Sequence, residues 1–137
     1  MSPALALALA GALVVLAVVA AIAIRVREGR RRAGGHLRFD PNDAGAVDLG
    51  ARATLVQFST ETCSRCPQVR RLLSSYAADD DALVHVDIDL TRRPDLSARY
   101  RVLQTPTTFI VDATGAVRAR FHGVPQPRAL TEALAAV

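Results

Sequence analysis

The 137-residue sequence contains no lysine, no tryptophan and only two cysteines. Two cysteines exclude a disulfide-dense scaffold, in which several bridges compensate for a small hydrophobic core. The absence of lysine means that all 17 strongly basic residues are arginine, and 13 acidic residues leave a net charge of +4. Five of these arginines lie between residues 25 and 35, whereas residues 36–137 carry 12 arginines and 12 acidic residues. A nucleic-acid-binding domain would need its own basic face, so nucleic acid is not an expected partner.

Charged residues are also missing from residues 1–24, of which 21 are apolar. As a helix, the 21-residue run Ala4–Ile24 would span ~30 Å, the thickness of a bilayer's hydrocarbon core. The run therefore predicts that residues 1–24 form one N-terminal transmembrane anchor. A buried core helix is a poor alternative because the run carries no charge. A cleaved signal peptide is a second alternative, since residues 21–23 resemble a cleavage site, but a basic n-region is absent and the run is longer than the usual ~7–15 residues.

The arginine cluster that follows the apolar run predicts the side of the membrane. Arginines that flank a membrane helix tend to remain in the cytoplasm, and none precedes this run. We therefore expect a single-pass protein with its folded domain on the cytoplasmic side, and an extracytoplasmic domain is the alternative. Residues 25–36 are expected to form an arginine-rich juxtamembrane linker, and residues 37–137 have the size of one folded domain.

Hydrophobic patterning of the folded part predicts an α/β domain. The order β-β-α-β-α-β-β-α indicates a central mixed sheet with helices on both faces. The predicted strands are His36–Phe39, Ala53–Ser59, Leu83–Asp89, Thr107–Val111 and Ala116–His122. The predicted helices are Cys63–Ala78, Pro94–Tyr100 and Pro125–Val137.

Cys63 and Cys66 form a C-x-x-C motif where a predicted strand gives way to a helix. The unsatisfied N–H groups and positive dipole at a helix N-terminus favour the thiolate, and the second thiol is close enough to resolve a mixed disulfide. The motif predicts a redox-active dithiol that needs no bound cofactor. A zinc site needs about four ligands, and no histidine has zinc-motif spacing, so no metal is expected. A copper site and a purely structural disulfide remain alternatives.

A wider set of motifs resembles the thioredoxin family, and more closely its membrane-anchored bacterial members. The motifs are Phe58 through Cys66, Val86-Asp87-Ile88-Asp89, Tyr100-Arg101-Val102, Thr105-Pro106-Thr107 and Gly123. The resemblance covers roughly residues 37–137 and implies a thioredoxin fold with a catalytic cysteine pair. It also implies a cis bond before Pro106 and a main chain at Thr105 that pairs with a client peptide. Thr62, beside the motif, is likewise expected to contact clients.

Four residues around the dithiol are expected to tune its chemistry. Gln57 stands where the family has a buried aspartate, and His85 where it often has a lysine. The route of the Cys66 proton is therefore open among water, His85 and Glu61. Arg65 places a cation beside Cys63, which favours the Cys63 thiolate and the reduced form. It therefore predicts a redox potential less reducing than the about −270 mV of thioredoxin.

Together these features predict a membrane-tethered thiol–disulfide oxidoreductase that reduces disulfides of client proteins. The expected partners are those clients, an upstream electron donor and the membrane. Extracytoplasmic disulfide exchange or cytochrome maturation is one alternative function. A non-catalytic copper-binding or adaptor module is another.

Overall fold

The computed structural model describes residues 2–137, and the predicted order of elements follows an N-terminal helix. The helices are α1 (Pro3–Arg27), α2 (Cys66–Asp79), α3 (Pro94–Arg99) and α4 (Pro127–Ala135). The strands are β1 (Arg32–Ala33), β2 (Ala53–Ser59), β3 (Leu83–Asp89), β4 (Thr107–Asp112) and β5 (Val117–His122). The predicted α/β class is confirmed.

Helix α1 is long and apolar enough to cross a membrane. It has 25 residues, and the mean hydropathy of its most apolar 18-residue segment is 3.0. None of the residues in that segment is buried. This exposure excludes the alternative of a buried core helix. The helix continues three residues beyond the predicted end at Ile24, which places Arg25 and Arg27 in its last turn. Cations there interact favourably with the negative end of the helix dipole.

The sheet has the strand order β1-β5-β4-β2-β3, with β2 and β3 parallel and the other neighbours antiparallel. All seven residues of β2 are buried because helices cover both faces of the sheet. Val56 and Phe58 point into a core beneath α3, whereas Leu55 points into a second core beneath α2 and α4. This period-2 alternation is the reason that a nearly continuous apolar run marks a central strand.

The first strand does not lie at His36–Phe39, so that prediction is wrong. Arg32–Ala33 pairs with β5 instead, and Arg38 makes only an isolated bridge. The chain leaves the strand at Gly34, which packs so closely on the carbonyl of Val117 that a Cβ would lie 1.7 Å from its oxygen. Part of the segment expected to be a linker therefore completes the sheet.

The predicted site residues gather at one end of the sheet. Strand β2 ends at Ser59, and β4 begins at Thr107 at the same end. Helix α2 begins at Cys66, three residues later than predicted, because the residues from Cys63 onward form a turn in which the Cys66 N–H donates to the Cys63 carbonyl at 3.4 Å. The cysteine pair thus spans the turn and the first residue of the helix.

Candidate active site

Cys63 and Cys66 form a disulfide with their Cα atoms 5.5 Å apart. The side chain of Cys66, at the start of α2, is only 2% exposed, whereas Cys63 in the preceding turn is half-buried. An external molecule can therefore reach the sulfur of Cys63, and Cys66 is positioned to react with Cys63. Dithiol–disulfide exchange requires this division between an attacking and a resolving sulfur.

The Thr105-Pro106 peptide bond is cis, as the resemblance implies. Thr105 lines a polar cleft with Cys63 and Thr62, and its hydroxyl lies 3.1 Å from that of Thr60. Among residues 2–137, no partner hydrogen-bonds with the main-chain N–H or C=O of Thr105. These groups can pair with an extended peptide, as an added strand does. The structure thus brings together the expected contact residues Thr62, Thr105 and Pro106.

Gln57 is fully buried beneath the dithiol and holds the start of α2. Its Nε2 donates to the carbonyl oxygen of Cys66 at 2.9 Å, and its Oε1 accepts from Nε2 of His85 at 3.2 Å. The hydroxyl of Ser74 lies 3.1 Å from Nδ1 of His85. Because an amide oxygen only accepts, Nε2 of His85 carries a proton. Burial lowers the pKa of His85 and favours the neutral ring, in which Nδ1 accepts from Ser74. Because Nε2 is a donor to Gln57, it is not available to accept the Cys66 proton.

A second cleft beside Cys66 is lined by carboxylates. Glu61, an expected candidate for proton transfer, lies there together with Asp87. Asp87 is held in place because Ser59 donates to it at 2.6 Å and Nε of Arg70 at 2.7 Å. Sequence reasoning did not single out Asp87 as a site residue. Its position on the side of β3 that faces α2 is the signal that would have identified it.

Arg65 does not present a free cation to Cys63. One of its terminal nitrogens lies 2.5 Å from the carboxylate of Glu28, the first residue after α1. The hydrogen bond to Glu28 is the main cause that raises the pKa of the Arg65 guanidinium. We therefore expect Glu28 to offset the effect predicted for Arg65 on the dithiol. Sequence reasoning missed this contact because the two residues are distant in the chain.

We expect Glu28→Gln to make the redox potential of the dithiol less reducing. Without the carboxylate, the Arg65 cation favours the Cys63 thiolate and hence the reduced form. Both side chains are partly exposed, so the screened effect should be about 0.5 kcal/mol, or on the order of 10 mV. Equilibration with glutathione buffers at low and high salt would measure it.

The matched control for this change is Glu132→Gln. It removes an exposed ion pair with Arg128 on α4, and the potential should not change. A shift of equal size in both variants, or a shift toward a more reducing potential in Glu28→Gln, would contradict the offset.

Burial lowers the pKa of His85, the nearby Arg70 lowers it further, and Asp87 opposes both. The unfolded chain therefore takes up a proton near pH 6.5 that folded His85 resists, so stability falls as the pH drops below about 6.5. We expect His85→Gln to reduce the loss of stability between pH 7 and pH 5. Some loss remains, because burial also lowers the pKa of His122. Urea unfolding at several pH values measures this, and an unchanged pH dependence would contradict the assignment.

No three histidine, cysteine, aspartate or glutamate side chains within residues 2–137 are grouped so that they could hold a metal ion. A structural zinc site uses about four ligands, usually cysteine and histidine. The zinc alternative therefore has no cluster to support it. Within the described part of the chain, a copper site at the two thiolates would have no third ligand among histidine, cysteine, aspartate and glutamate.

Comparisons with known proteins agree with this geometry. The sequence profile of a family described as the thioredoxin-like domain matches residues 43–137. The chain is similar in structure to the thioredoxin of Fasciola hepatica, with 21% identity and a TM-score of 0.55 over 64% of this chain and 82% of that one. It is also similar to chloroplastic thioredoxin z, with 25% identity and a TM-score of 0.55 over 68% and 81% of the two chains.

A third similar structure is oxidized mitochondrial thioredoxin 3 of Saccharomyces cerevisiae, with 17% identity and a TM-score of 0.58. This similarity covers 74% of the present chain and 93% of the yeast one. The comparison with curated proteins finds no match. The predicted fold is thereby confirmed.

Proposed function

The chain belongs to the thioredoxin-like family, and from this premise we propose that it is a membrane-tethered oxidoreductase that reduces disulfides of client proteins. The observation that supports this most strongly is the asymmetry of the cysteine pair. Cys63 is accessible and Cys66 is buried. The main chain of Thr105, which has no hydrogen-bond partner within residues 2–137, borders the cleft that Cys63 lines. Thiol–disulfide exchange needs a nucleophile, a resolving thiol and a surface that binds peptide.

The reaction has two exchanges. The Cys63 thiolate attacks one sulfur of a client disulfide, which forms a mixed disulfide and releases the first client thiolate. The Cys66 thiolate then attacks the sulfur of Cys63, which releases the second client thiolate and forms the Cys63–Cys66 disulfide. Two electrons pass from the dithiol to the client, and each released thiolate takes up a proton. No bound cofactor is required, but an upstream thiol donor must return two electrons.

The carboxylate-lined cleft beside Cys66 is the exit for its proton. Glu61 is exposed there, and Asp87 is fixed beside it. His85 serves the reaction indirectly in this proposal. Through Gln57 it holds the first residue of α2, and thereby Cys66, in position.

We propose further that α1 anchors the protein and that the domain faces the cytoplasm. The length and apolarity of α1 support the anchor. The five arginines after Ile24, with none before it, support the orientation. Reduction is then the favoured direction, because cytosolic thiols are kept reduced.

The test combines activity and topology in the full-length protein. The protein in its dithiol form, inserted in lipid vesicles, should reduce insulin disulfides. A failure to reduce insulin would contradict the proposed function. In intact cells stripped of their wall, a membrane-impermeant maleimide should label Cys63 only after the membrane is permeabilised. Labelling of intact cells would place the domain outside, and extracytoplasmic disulfide exchange would replace cytoplasmic reduction as the function.

A further inference from the structure

The junction between α1 and the folded domain is fixed by hydrogen bonds and by close main-chain packing. Gly29, two residues beyond the helix, is buried and donates to the carbonyl of His122 at 2.8 Å, while its own carbonyl accepts from the N–H of Gln126 at 3.0 Å. A Cβ at Gly29 would lie 2.1 Å from the carbonyl oxygen of Val124, so the main chain is packed directly on the loop after β5. The side-chain amide of Gln126 also donates to the carbonyl of Glu28 at 3.3 Å.

The same junction lies against the active site. Glu28 forms its ion pair with Arg65, which stands between the two cysteines. Glu28 is four residues beyond Ile24, the last residue of the apolar run, and so lies roughly 6 Å further along the helix direction. The headgroup layer on each side of the hydrocarbon core is roughly 5–7 Å thick. If α1 spans the bilayer, the dithiol opens at the level of the headgroups or just beyond them.

An apolar side chain of the active-site loop lies close to the hydrocarbon boundary. Leu103 is 93% exposed, the most exposed large apolar side chain of the folded domain, and it stands two residues before Thr105. It lines a groove together with Ile24 and Arg27 of α1. Because Ile24 is the last residue of the apolar run, Leu103, which lines the same groove, lies near the depth at which the hydrocarbon ends. Arg27 in the same groove can contact lipid phosphates.

We propose that the active-site face rests on the membrane surface, with Leu103 inserted among the lipids, and that its clients are membrane-protein disulfides at that surface. The inference rests on the proposed tethering and names the substrate class of the same dithiol. A client segment that leaves the bilayer nearby enters the cleft at Thr105 and Cys63 without crossing bulk solvent. A disulfide held far above the surface cannot reach the cleft in this way, because the fixed junction prevents the domain from moving away from the membrane.

Tryptophan fluorescence tests the position of Leu103. The native sequence has no tryptophan, so Leu103→Trp gives a single reporter in the full-length protein. In vesicles of phosphatidylcholine and phosphatidylglycerol, we expect blue-shifted emission and at least about twofold quenching by lipids brominated near the headgroup. The matched control is Asp81→Trp, at an exposed position just before β3 and so at the opposite end of the sheet, where quenching should be absent.

A substrate comparison tests the client class. Two transmembrane peptides carry the same disulfide, one within a few residues of the bilayer and one at the end of a long flexible extension. We expect the first to be reduced on the order of tenfold faster. Its disulfide is confined to the layer next to the bilayer and so has a higher effective concentration at the cleft than a disulfide on a long flexible extension. A ten-residue Gly-Ser insertion between Arg27 and Glu28 preserves the contacts of Glu28 and Gly29 with the folded domain, breaks only the bond from the Glu28 N–H to the Ile24 carbonyl, and frees the domain from the surface. This variant should lose the preference and keep its activity on insulin.

The outcomes separate this inference from the proposed function. If alkaline washing releases the protein from vesicles, the tethering fails and the surface placement fails with it. If the protein stays inserted and reduces insulin, but the tryptophan at position 103 is unquenched or the two peptides react equally, the tethered oxidoreductase stands and the inference is overturned.

Discussion

Replacement of Cys66 by serine should convert the protein into a covalent trap. Cys63 remains accessible and attacks the client disulfide, but a serine hydroxyl cannot displace the client thiolate from the mixed disulfide. The complex should accumulate while turnover of insulin falls to the uncatalysed background. Non-reducing gels followed by mass spectrometry of the trapped species measure both the accumulation and the identity of the client.

Two control variants test which cysteine attacks the client. Cys63→Ser should lose turnover and also fail to trap clients, because the remaining thiol at Cys66 is buried. Ser64→Ala changes an exposed residue between the cysteines and should retain turnover. Trapping by Cys63→Ser rather than by Cys66→Ser would reverse the assigned roles. A lack of trapping by either would contradict the exchange mechanism.

Replacement of Phe58 by alanine should destabilise the folded domain by about 3–5 kcal/mol. The Phe58 ring is completely buried, with its centroid 4.8 Å from that of Phe109 in an edge-to-face contact and 5.5 Å from that of Tyr100. The change removes the hydrophobic burial of the ring and leaves a cavity that the surrounding strands cannot close. Urea unfolding of the full-length protein in detergent measures the free energy of unfolding.

The exposed Leu103 provides the matched control for this loss of apolar volume. Leu103→Ala in detergent should change the free energy of unfolding by less than about 0.5 kcal/mol, because the side chain packs against little in the folded domain. A loss below about 1 kcal/mol for Phe58→Ala would mean that the aromatic cluster of Phe39, Phe58, Tyr100 and Phe109 repacks around the gap.

Much of the fold follows from local patterns in the sequence. The apolar run at Ala53–Ser59 predicts a buried central strand. The face of α2 that packs on the sheet is predicted by the helical spacing of Val69, Leu72, Leu73 and Tyr76. Turn chemistry and period-2 alternation set the hairpin between β4 and β5. The cysteine spacing and its place before a helix identify the dithiol in the same way, since these signals depend on residues close together in the chain.

The remaining features depend on pairings between distant segments. The bond between Gln57 and His85 exists because β2 and β3 are parallel and in a register that places Leu55 opposite His85. The contact of Glu28 with Arg65 depends on where α1 leaves the domain surface. No local period or turn signal encodes either arrangement. The same dependence explains why the sequence does not predict β1, since a two-residue strand is defined almost entirely by its partner.

The short edge strand β1 also closes one side of the sheet. Strand β1 pairs with the outer edge of β5 at Ala119 and Arg120, and β4 pairs with the inner edge of β5. A soluble fragment that began at residue 37 would lack β1 and expose that edge, and an exposed edge is a template for pairing with another chain. Such a fragment would be prone to aggregate even with its dithiol and core intact. The family match begins still later, at residue 43, so a fragment that retains the sheet has to start well before it.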